Sequence, residues 1–268
     1  MARWCDAPGL VLMTPVECRR YAQAIIDAHH CGRTLRAPSD VSRLSLREAY
    51  EIQRLVLEHR FELGEKQIGW KIGYSSFAMR RQMNVSSPNF GPLTDAMQLP
   101  NGAVVSTRLV HPRVEPEIVV ILGDVVRGGA ARDEVLSNVL HAHVGLEVVD
   151  SIWRHYRFDI AQNTADGSSA AHVVCGPALP EDVDLASLQV QLFVDEEHVD
   201  SGCSSDAMGH PLDAVSWLAS ELGAYNLALR PGDVVLTGGL TAAVDLPPGS
   251  CVKASFGPRW DVSVGRSG

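Results

Sequence analysis

The run Arg113-Val114-Glu115-Pro116-Glu117-Ile118-Val119-Val120-Ile121-Leu122 sets two chemistries side by side. Its second half is a continuous apolar stretch, the composition of a buried strand. Its first half carries Glu115 and Glu117. Side chains alternate across a strand, so both carboxylates face the same way. Two like charges at the mouth of an apolar core are costly unless a cation neutralises them. Pro116 has no donor for a sheet ladder, which predicts an edge or a strand start. A second run, Gly145-Leu146-Glu147-Val148-Val149-Asp150, places Glu147 among apolar neighbours. An acid in such a strand needs a partner. Three carboxylates on neighbouring strands form an oxygen-only donor set, suited to Mg²⁺ or Mn²⁺ with water completing the shell. The spacing alone also fits a solvent-facing Glu-x-Glu edge; Glu147 weighs toward the metal.

Working outward, Gly69-Trp70-Lys71-Ile72-Gly73 puts one lysine inside a glycine-flanked, strand-like run. Beside carboxylates it serves substrate binding or proton transfer, or forms an ordinary ion pair. Thr237-Gly238-Gly239 follows an apolar strand, and glycines there let backbone N–H groups approach an anion. A plain turn has the same signature. His141 and His143 lack a third nearby ligand and read as structural. Ser75 and Ser76 lack the G-x-S-x-G elbow of a serine nucleophile. Asp166-Gly167-Ser168-Ser169 reads as a turn.

The 268 residues are 46% hydrophobic and 21% charged, which excludes a disordered chain. Lys and Arg number 23 against 32 Asp and Glu, a net charge of −9 with no basic run, which argues against nucleic acid as a partner. The six cysteines, Cys5, Cys18, Cys31, Cys175, Cys203 and Cys251, form no C-x-x-C pair. The N-terminus lacks a signal-peptide core and no apolar run is long enough to span a membrane. Free thiols without an export signal predict the cytoplasm.

Two capping boxes, Thr14-Pro15-Val16-Glu17 and Ser45-Leu46-Arg47-Glu48, start two helices that Gly32 and Gly64 end. A polar segment, 33–43, lies between them. From Ile68 onward short β-like runs alternate with turns: Ile68–Tyr74, Ala103–Ser106, Val114–Leu122, Leu146–Val149, His172–Cys175, Leu188–Val194, Val234–Thr237, Cys251–Phe256 and Asp261–Val264. Helices are expected near Asp133–His143 and over Pro211–Leu222. The pattern predicts an α+β fold, with an N-terminal helical cap region (1–66) before a β-rich core (67–268) built as a roll, sandwich or barrel.

Taken together, these residues resemble the 2-oxo-4-pentenoate hydratase and 4-oxalocrotonate decarboxylase family of the fumarylacetoacetate hydrolase superfamily. The resemblance runs from about Leu46 to Val264. It is carried by 69–76 (GWKIGYSS), 90–93 (FGPL), 111–117 (HPRVEPE), 146–151 (LEVVDS), 209–212 (GHPL) and 236–244 (LTGGLTAAV). It implies a mixed β-roll core with an N-terminal helical cap, a divalent metal (Mg²⁺ or Mn²⁺) on Glu115, Glu117 and Glu147, and a catalytic Lys71. It further assigns Ser76, Asn89, Phe90, Gly91, Asp166, Thr237, Gly238 and Gly239 to substrate binding, with backbone N–H groups near 237–239 holding a carboxylate. A homo-oligomer, alone or associated with a related hydratase or decarboxylase, is implied as well.

Within that family, hydratases usually read Pro-Asp-Phe/Tyr-Gly where this chain has Pro88-Asn89-Phe90-Gly91. The missing acid, the 238–244 tail, and His111-Pro112-Arg113-Val114-Glu115 with Gly209-His210-Pro211 lean toward the decarboxylase branch. The expected activity is a metal-dependent lyase that decarboxylates a 2-oxo-3-enedioate through a dienolate. The alternatives are hydration of 2-hydroxypenta-2,4-dienoate, hydrolysis of an acylpyruvate C–C bond, and a non-catalytic partner subunit. Two departures bear on the substrate. Asp166-Gly167-Ser168-Ser169 replaces the family's usual Asp-Asn-Ala-Ser, and Gly257-Pro258-Arg259-Trp260 replaces its usual Gly-Leu-Gly-Ser.

Overall fold

In a computed structural model of the chain, residues 13–36, 44–77, 80, 81, 85–106 and 108–268 are described. Cys5 and the 37–43 part of the polar segment lie outside them. The two capping boxes form as read. Thr14 Oγ1 accepts the Glu17 N–H and the Glu17 carboxylate answers the Thr14 N–H at 2.6 Å, opening α1 (Pro15–Cys31). Ser45 and Glu48 do the same for α2 (Leu46–Glu62), with Gly32 closing α1 in the left-handed region. No described helix is long and apolar enough to cross a membrane.

The strands are β1 (Gln67–Gly73), β2 (Asn89–Thr94), β3 (Gln98–Pro100), β4 (Ala103–Val105), β5 (Arg113–Leu122), β6 (Val139–Val149), β7 (Ala170–Ala178), β8 (Gln189–Val194), β9 (Glu197–Cys203), β10 (Val234–Leu236), β11 (Val244–Asp245), β12 (Cys251–Phe256) and β13 (Trp260–Arg266). Further helices are α3 (Arg132–Ser137), α4 (Ile160–Ala165) and α5 (Pro211–Ala224). Among the described residues the strands form two mixed sheets. One runs β2-β1-β10-β5-β6-β7-β3, with β11 also on β5; the other runs β4-β13-β12-β8-β9. Val144, Leu146, Val148 and Val174 of the first sheet pack against Leu192, Val252, Val262 and Val264 of the second. The Leu212, Val215, Leu218 and Leu222 face of α5 closes that core. This is an α+β fold with sandwiched mixed sheets.

Several elements lie outside the sequence expectation, β3, β11 and α4 among them, and three others show the physical reason. The helix expected near Asp133–His143 is only the six residues of α3; Asn138 ends it and a strand begins at Val139. From there Val139–Val149 pairs with β5 on one side and, from His143 on, with β7 on the other. Long-range pairing with β5, joined by β7 from His143 on, outweighs helix propensity there. The segment Asn89–Thr94 is a fully buried strand although Gly91-Pro92 looks like a turn. It lies at the end of its sheet, where proline is tolerated. Polar Glu197–Cys203 is likewise an edge strand.

Pro116 is neither at an edge nor at a strand start. It sits inside β5, opposite Leu146 of β6. On the far side of β5, β11 pairs only with 113–114 and β10 only with 119–121. The 237–243 loop fills the gap: Leu240 N–H donates to Pro116 O and Thr237 N–H to Ile118 O. The missing donor of Pro116 faces that gap, so no bond of the β5–β6 ladder is lost.

The N-terminal helices share a second core with the segment after β6, joining Ile25, Ala28 and Ile52 to Trp153, Ala161 and Ala165. Two polar ties fasten it. The Gln53 amide donates to Phe90 O and Thr164 O at 2.9 and 2.8 Å. His29 Nε2 lies 2.7 Å from Asp166 Oδ1, whose side chain is fully buried. Burial pushes the Asp166 carboxyl up, and His29 opposes that shift. His29→Ala strands this carboxylate and is expected to lower stability by about 2–4 kcal/mol. Urea unfolding measures it, and adding Asp166→Asn should restore part of the loss.

Candidate active site

β5 and β6 are antiparallel neighbours, and Glu115 stands directly across from Glu147. Glu117 lies two residues further along the same face, opposite Gly145. One carboxylate oxygen from each of the three lies within 4.8 Å of the others, and Glu117 and Glu147 are buried. Lys71 reaches them from β1, two strands away across β10. Its buried Nζ is 3.0 Å from Glu147 Oε2.

One ammonium does not balance three carboxylates. At an effective dielectric near 20, each carboxylate pair at that separation repels by about 3–4 kcal/mol. The single Lys71–Glu147 contact returns only about 5 kcal/mol on the same scale. The ionisation of the cluster reflects this. Burial, then Glu147, pushes the Glu115 carboxyl up to about 7, against the pull of Lys71 and Arg113. Burial and the neighbouring acids raise Glu117 well above the carboxylate range, and burial also raises Glu147. For Lys71, burial acts to discharge the amine. The three acids, led by Glu147, outweigh it and hold the ammonium.

The cluster fits a divalent cation on its own geometry. Glu117 Oε1 and Glu147 Oε1 are buried and receive no hydrogen bond. Three oxygen donors and no nitrogen or sulfur among them match a hard cation such as Mg²⁺ or Mn²⁺. The loop after β10 is shaped around the same acids. Gly238 N–H donates to Glu117 Oε2 at 2.6 Å. Gly238 has φ +104°, and a side chain there would strike Ser75; one at Gly239 would strike the Glu115 carboxylate.

A turn of three consecutive left-handed residues, Gly167, Ser168 and Ser169 (φ +65°, +57° and +57°), holds Lys71 from the other side. Lys71 Nζ donates to Ser168 O and Oγ at 3.1 and 3.3 Å. Ser168 Oγ donates to Asn89 Oδ1 at 3.0 Å, and Asn89 Nδ2 donates to Asn163 Oδ1 and Thr164 Oγ1. Two non-glycine residues at positive φ cost of order 1–3 kcal/mol each, and the network offsets that strain.

Above the cluster lies a cavity of about 160 Å³. Lys71, Glu115, Ser76 and Gly239 line it, as expected of site residues. Glu117 and Glu147 are buried beside Glu115 and do not line the cavity. Asn89, Phe90, Gly91, Asp166, Thr237 and Gly238, which the sequence assigns to substrate contact, lie behind the wall. Asn89 buttresses Ser168, and Phe90 stacks on Tyr50 at 4.3 Å. Gly91 pairs with Lys71 across β1 and β2, and Asp166 faces His29. The expected backbone anion cradle differs too. Thr237 N–H is bonded to Ile118 O and Gly238 N–H to Glu117, so the carboxylate held at Gly238 is the protein's own.

The sequence reading gave no role to Arg113, Tyr156, Tyr74, Ser75, Asn163 or Ser168, all of which line the cavity. Period-two alternation already placed Arg113 on the face of Glu115 and Glu117. Tyr156 carried no such signal, because two left-handed residues, His155 and Tyr156 (φ +60° and +53°), bring it in.

The sequence profile of the fumarylacetoacetate (FAA) hydrolase C-terminal family matches residues 70–261. A 4-oxalocrotonate decarboxylase from Pseudomonas sp is 33% identical over 250 residues, covering 93% of this chain and 98% of that protein. A 2-hydroxyhexa-2,4-dienoate hydratase from Comamonas testosteroni is also 33% identical, over 249 residues, covering 90% and 91%. Among solved structures, 4-oxalocrotonate decarboxylase from Pseudomonas putida G7, complexed with magnesium and adipate, superposes with a TM-score of 0.91. Its sequence identity is 29%, with 95% of this chain and 98% of that one covered.

Cation and proton compete for these acids. Mg²⁺ or Mn²⁺ should therefore raise the melting temperature more at pH 8 than at pH 6, since Glu115 titrates near 7. At a hundredfold excess over Kd the stabilisation is about 2.7 kcal/mol. Glu117→Gln should stabilise the metal-free protein by relieving repulsion and abolish the cation response. Differential scanning calorimetry with and without a chelator measures both.

Proposed function

The chain belongs to the FAA hydrolase family, and from that premise we propose that it is a metal-dependent lyase that decarboxylates a 2-oxo-3-enedioate, a 4-oxalocrotonate-like substrate. The supporting observation is Asn89. Hydration needs, besides Lys71, a second group that passes a proton to or from water. Here the polar tip at position 89 is an amide, with its N–H groups committed to Asn163 and Thr164 and its oxygen to Ser168. Decarboxylation needs only a site that accepts electron density on the 2-oxo group.

Glu115, Glu117 and Glu147 would hold Mg²⁺ or Mn²⁺, which supplies Lewis acidity toward the 2-oxo acid head. Lys71, fixed by Glu147 and Ser168, presents its ammonium to the 2-oxygen. The bond between C5 and the distal carboxylate breaks and CO₂ leaves. Its electron pair enters the conjugated system and rests on the 2-oxygen, where the Lys71 charge faces it. A charge that appears only as the bond breaks is stabilised by a donor already in place. One proton from solvent, passed through Lys71, then completes the dienol. Val149 and Phe158 line the cavity and restrict water around the dienolate.

Hydratase relatives at similar identity make hydration the second reading. Self-association, alone or with a related lyase, is supported by Leu136 and Leu140, which stand exposed on adjoining elements. Purified protein with Mg²⁺ or Mn²⁺ should release CO₂ from 2-oxohex-3-enedioate and leave 2-hydroxypenta-2,4-dienoate unchanged, with all turnover lost in EDTA. Conversion of only the second compound to a hydrated 2-oxo acid would replace decarboxylase with hydratase. Lys71→Met should lower kcat by about 10²–10⁴-fold while cation binding persists. Product mass and stopped-flow absorbance read these outcomes.

A further inference from the structure

Arg113 lines the same cavity as Lys71 and Glu115, and its side chain is 38% exposed where that of Lys71 is buried. It lies one alternation outward from Glu115 on the same face of β5. Two neighbours fix its guanidinium. Its Nε donates to Asp245 Oδ1 at 2.8 Å, across the β5–β11 pair. Its Cζ lies 4.2 Å from the centroid of the Tyr156 ring. Tyr156 in turn is held by its left-handed backbone and by donation of its hydroxyl to His111 O at 3.0 Å. The two terminal nitrogens of Arg113 have no hydrogen-bond partner among the described residues. A planar cation is thus oriented on two sides, with two donor groups uncommitted, and among the described residues Lys71 is the only other cation lining the cavity.

We infer that Arg113 is the specificity residue of this site and binds the distal carboxylate of a 2-oxo dioic acid. This rests on the reading above, in which the 2-oxo acid head sits at Glu115 and Lys71. Two strand residues rise about 6.6 Å, comparable to the separation of the carboxyl carbons in an extended six-carbon dioic acid. Guanidinium matches a carboxylate with two parallel N–H donors, and a guanidinium already stacked and anchored loses little freedom on binding. Asp245 does not cancel the attraction, because its side chain is 75% exposed and its field is screened by solvent. The contact is to the carboxylate that leaves, whose charge falls as the bond breaks, so it stabilises bound substrate more than the transition state and acts on affinity and on the choice between dioic and monocarboxylic acids.

Calorimetric titration of the Mg²⁺-loaded protein with 2-oxohexanedioate and with 2-oxohexanoate tests this. The wild type should prefer the dioate. Arg113→Met should weaken the dioate by about ten- to a hundredfold and leave the monoacid within about twofold. Arg113→Lys should fall between. With 2-oxohex-3-enedioate as substrate, Arg113→Met should raise KM far more than it lowers kcat. Asp245→Ala breaks the same β5–β11 side-chain tie but keeps the cation, so it should retain the preference, and thermal melts report folding for every variant. If Arg113→Met weakens both acids alike, or neither, Arg113 merely ties β5 to β11 and the inference is overturned while the site reading stands. If neither acid binds the wild type, the site reading is overturned and this inference with it.

Discussion

Three carboxylates within 4.8 Å of one another, faced by one ammonium, are the constraint around which the rest of this fold is arranged. Such a cluster is tolerable only where every neighbouring backbone and side chain makes room for it. Gly145, opposite Glu117, lets Val119 and the Val174 carbonyl pack where a side chain would strike them, and Gly239 lets the loop after β10 pass against Glu115. The gap between β10 and β11 along β5 admits that loop, and Pro116 sits where no ladder bond is asked of it. Gly238 N–H then stabilises one oxygen of Glu117. Sheet topology, loop path and proline position thus answer a single electrostatic demand.

Lys71 needs equal support, because a buried ammonium is costly unless its protons are accepted. Glu147 takes one, and the left-handed turn at 167–169 supplies a carbonyl and a hydroxyl. That turn is held by the N-terminal helices. His29 of α1 meets Asp166 at its start, and Gln53 of α2 meets Thr164 and Phe90 beside it. Neither helix lines the cavity, yet both fix the groups that aim Lys71. The N-terminal helices are therefore part of the site's rigidity, and the left-handed strain of Ser168 and Ser169 is balanced from α1 and α2 as well as from the sheet.

The acids and the lysine were legible in the sequence because strand periodicity is two, and a charged residue inside an apolar strand has few places to go. Arg113 obeys the same alternation and was equally available. Asn89, Phe90, Gly91 and Asp166 were recognisable as pocket-associated by resemblance. Their direction was not, since it depends on which face of β2 meets α2 and on His29, 137 residues away from Asp166. The first half of β6 was hidden for a related reason. Its apolar pattern is weak, and pairing with β5 and β7, a non-local term, makes it a strand. Tyr156 owes its place to two left-handed residues that no local propensity favours.

Charge decides the order in which such a site can be filled. Glu115, Glu117 and Glu147 with Lys71 sum to −2 when all are ionised, the complement of one divalent cation. Without that cation the cluster meets the deficit with protons, as the raised carboxyls of Glu115, Glu117 and Glu147 record. A chain of net charge −9 repels a dianionic acid at long range, and a cluster neutralised by protons offers nothing to offset that. Once a cation balances the acids, buried Lys71 and half-exposed Arg113 remain as the positive groups that line the cavity among the described residues. An anionic substrate then meets attraction where it previously met repulsion. Cation before substrate follows from the arithmetic of the residues themselves, and the same arithmetic explains why a lysine this deeply buried stays charged.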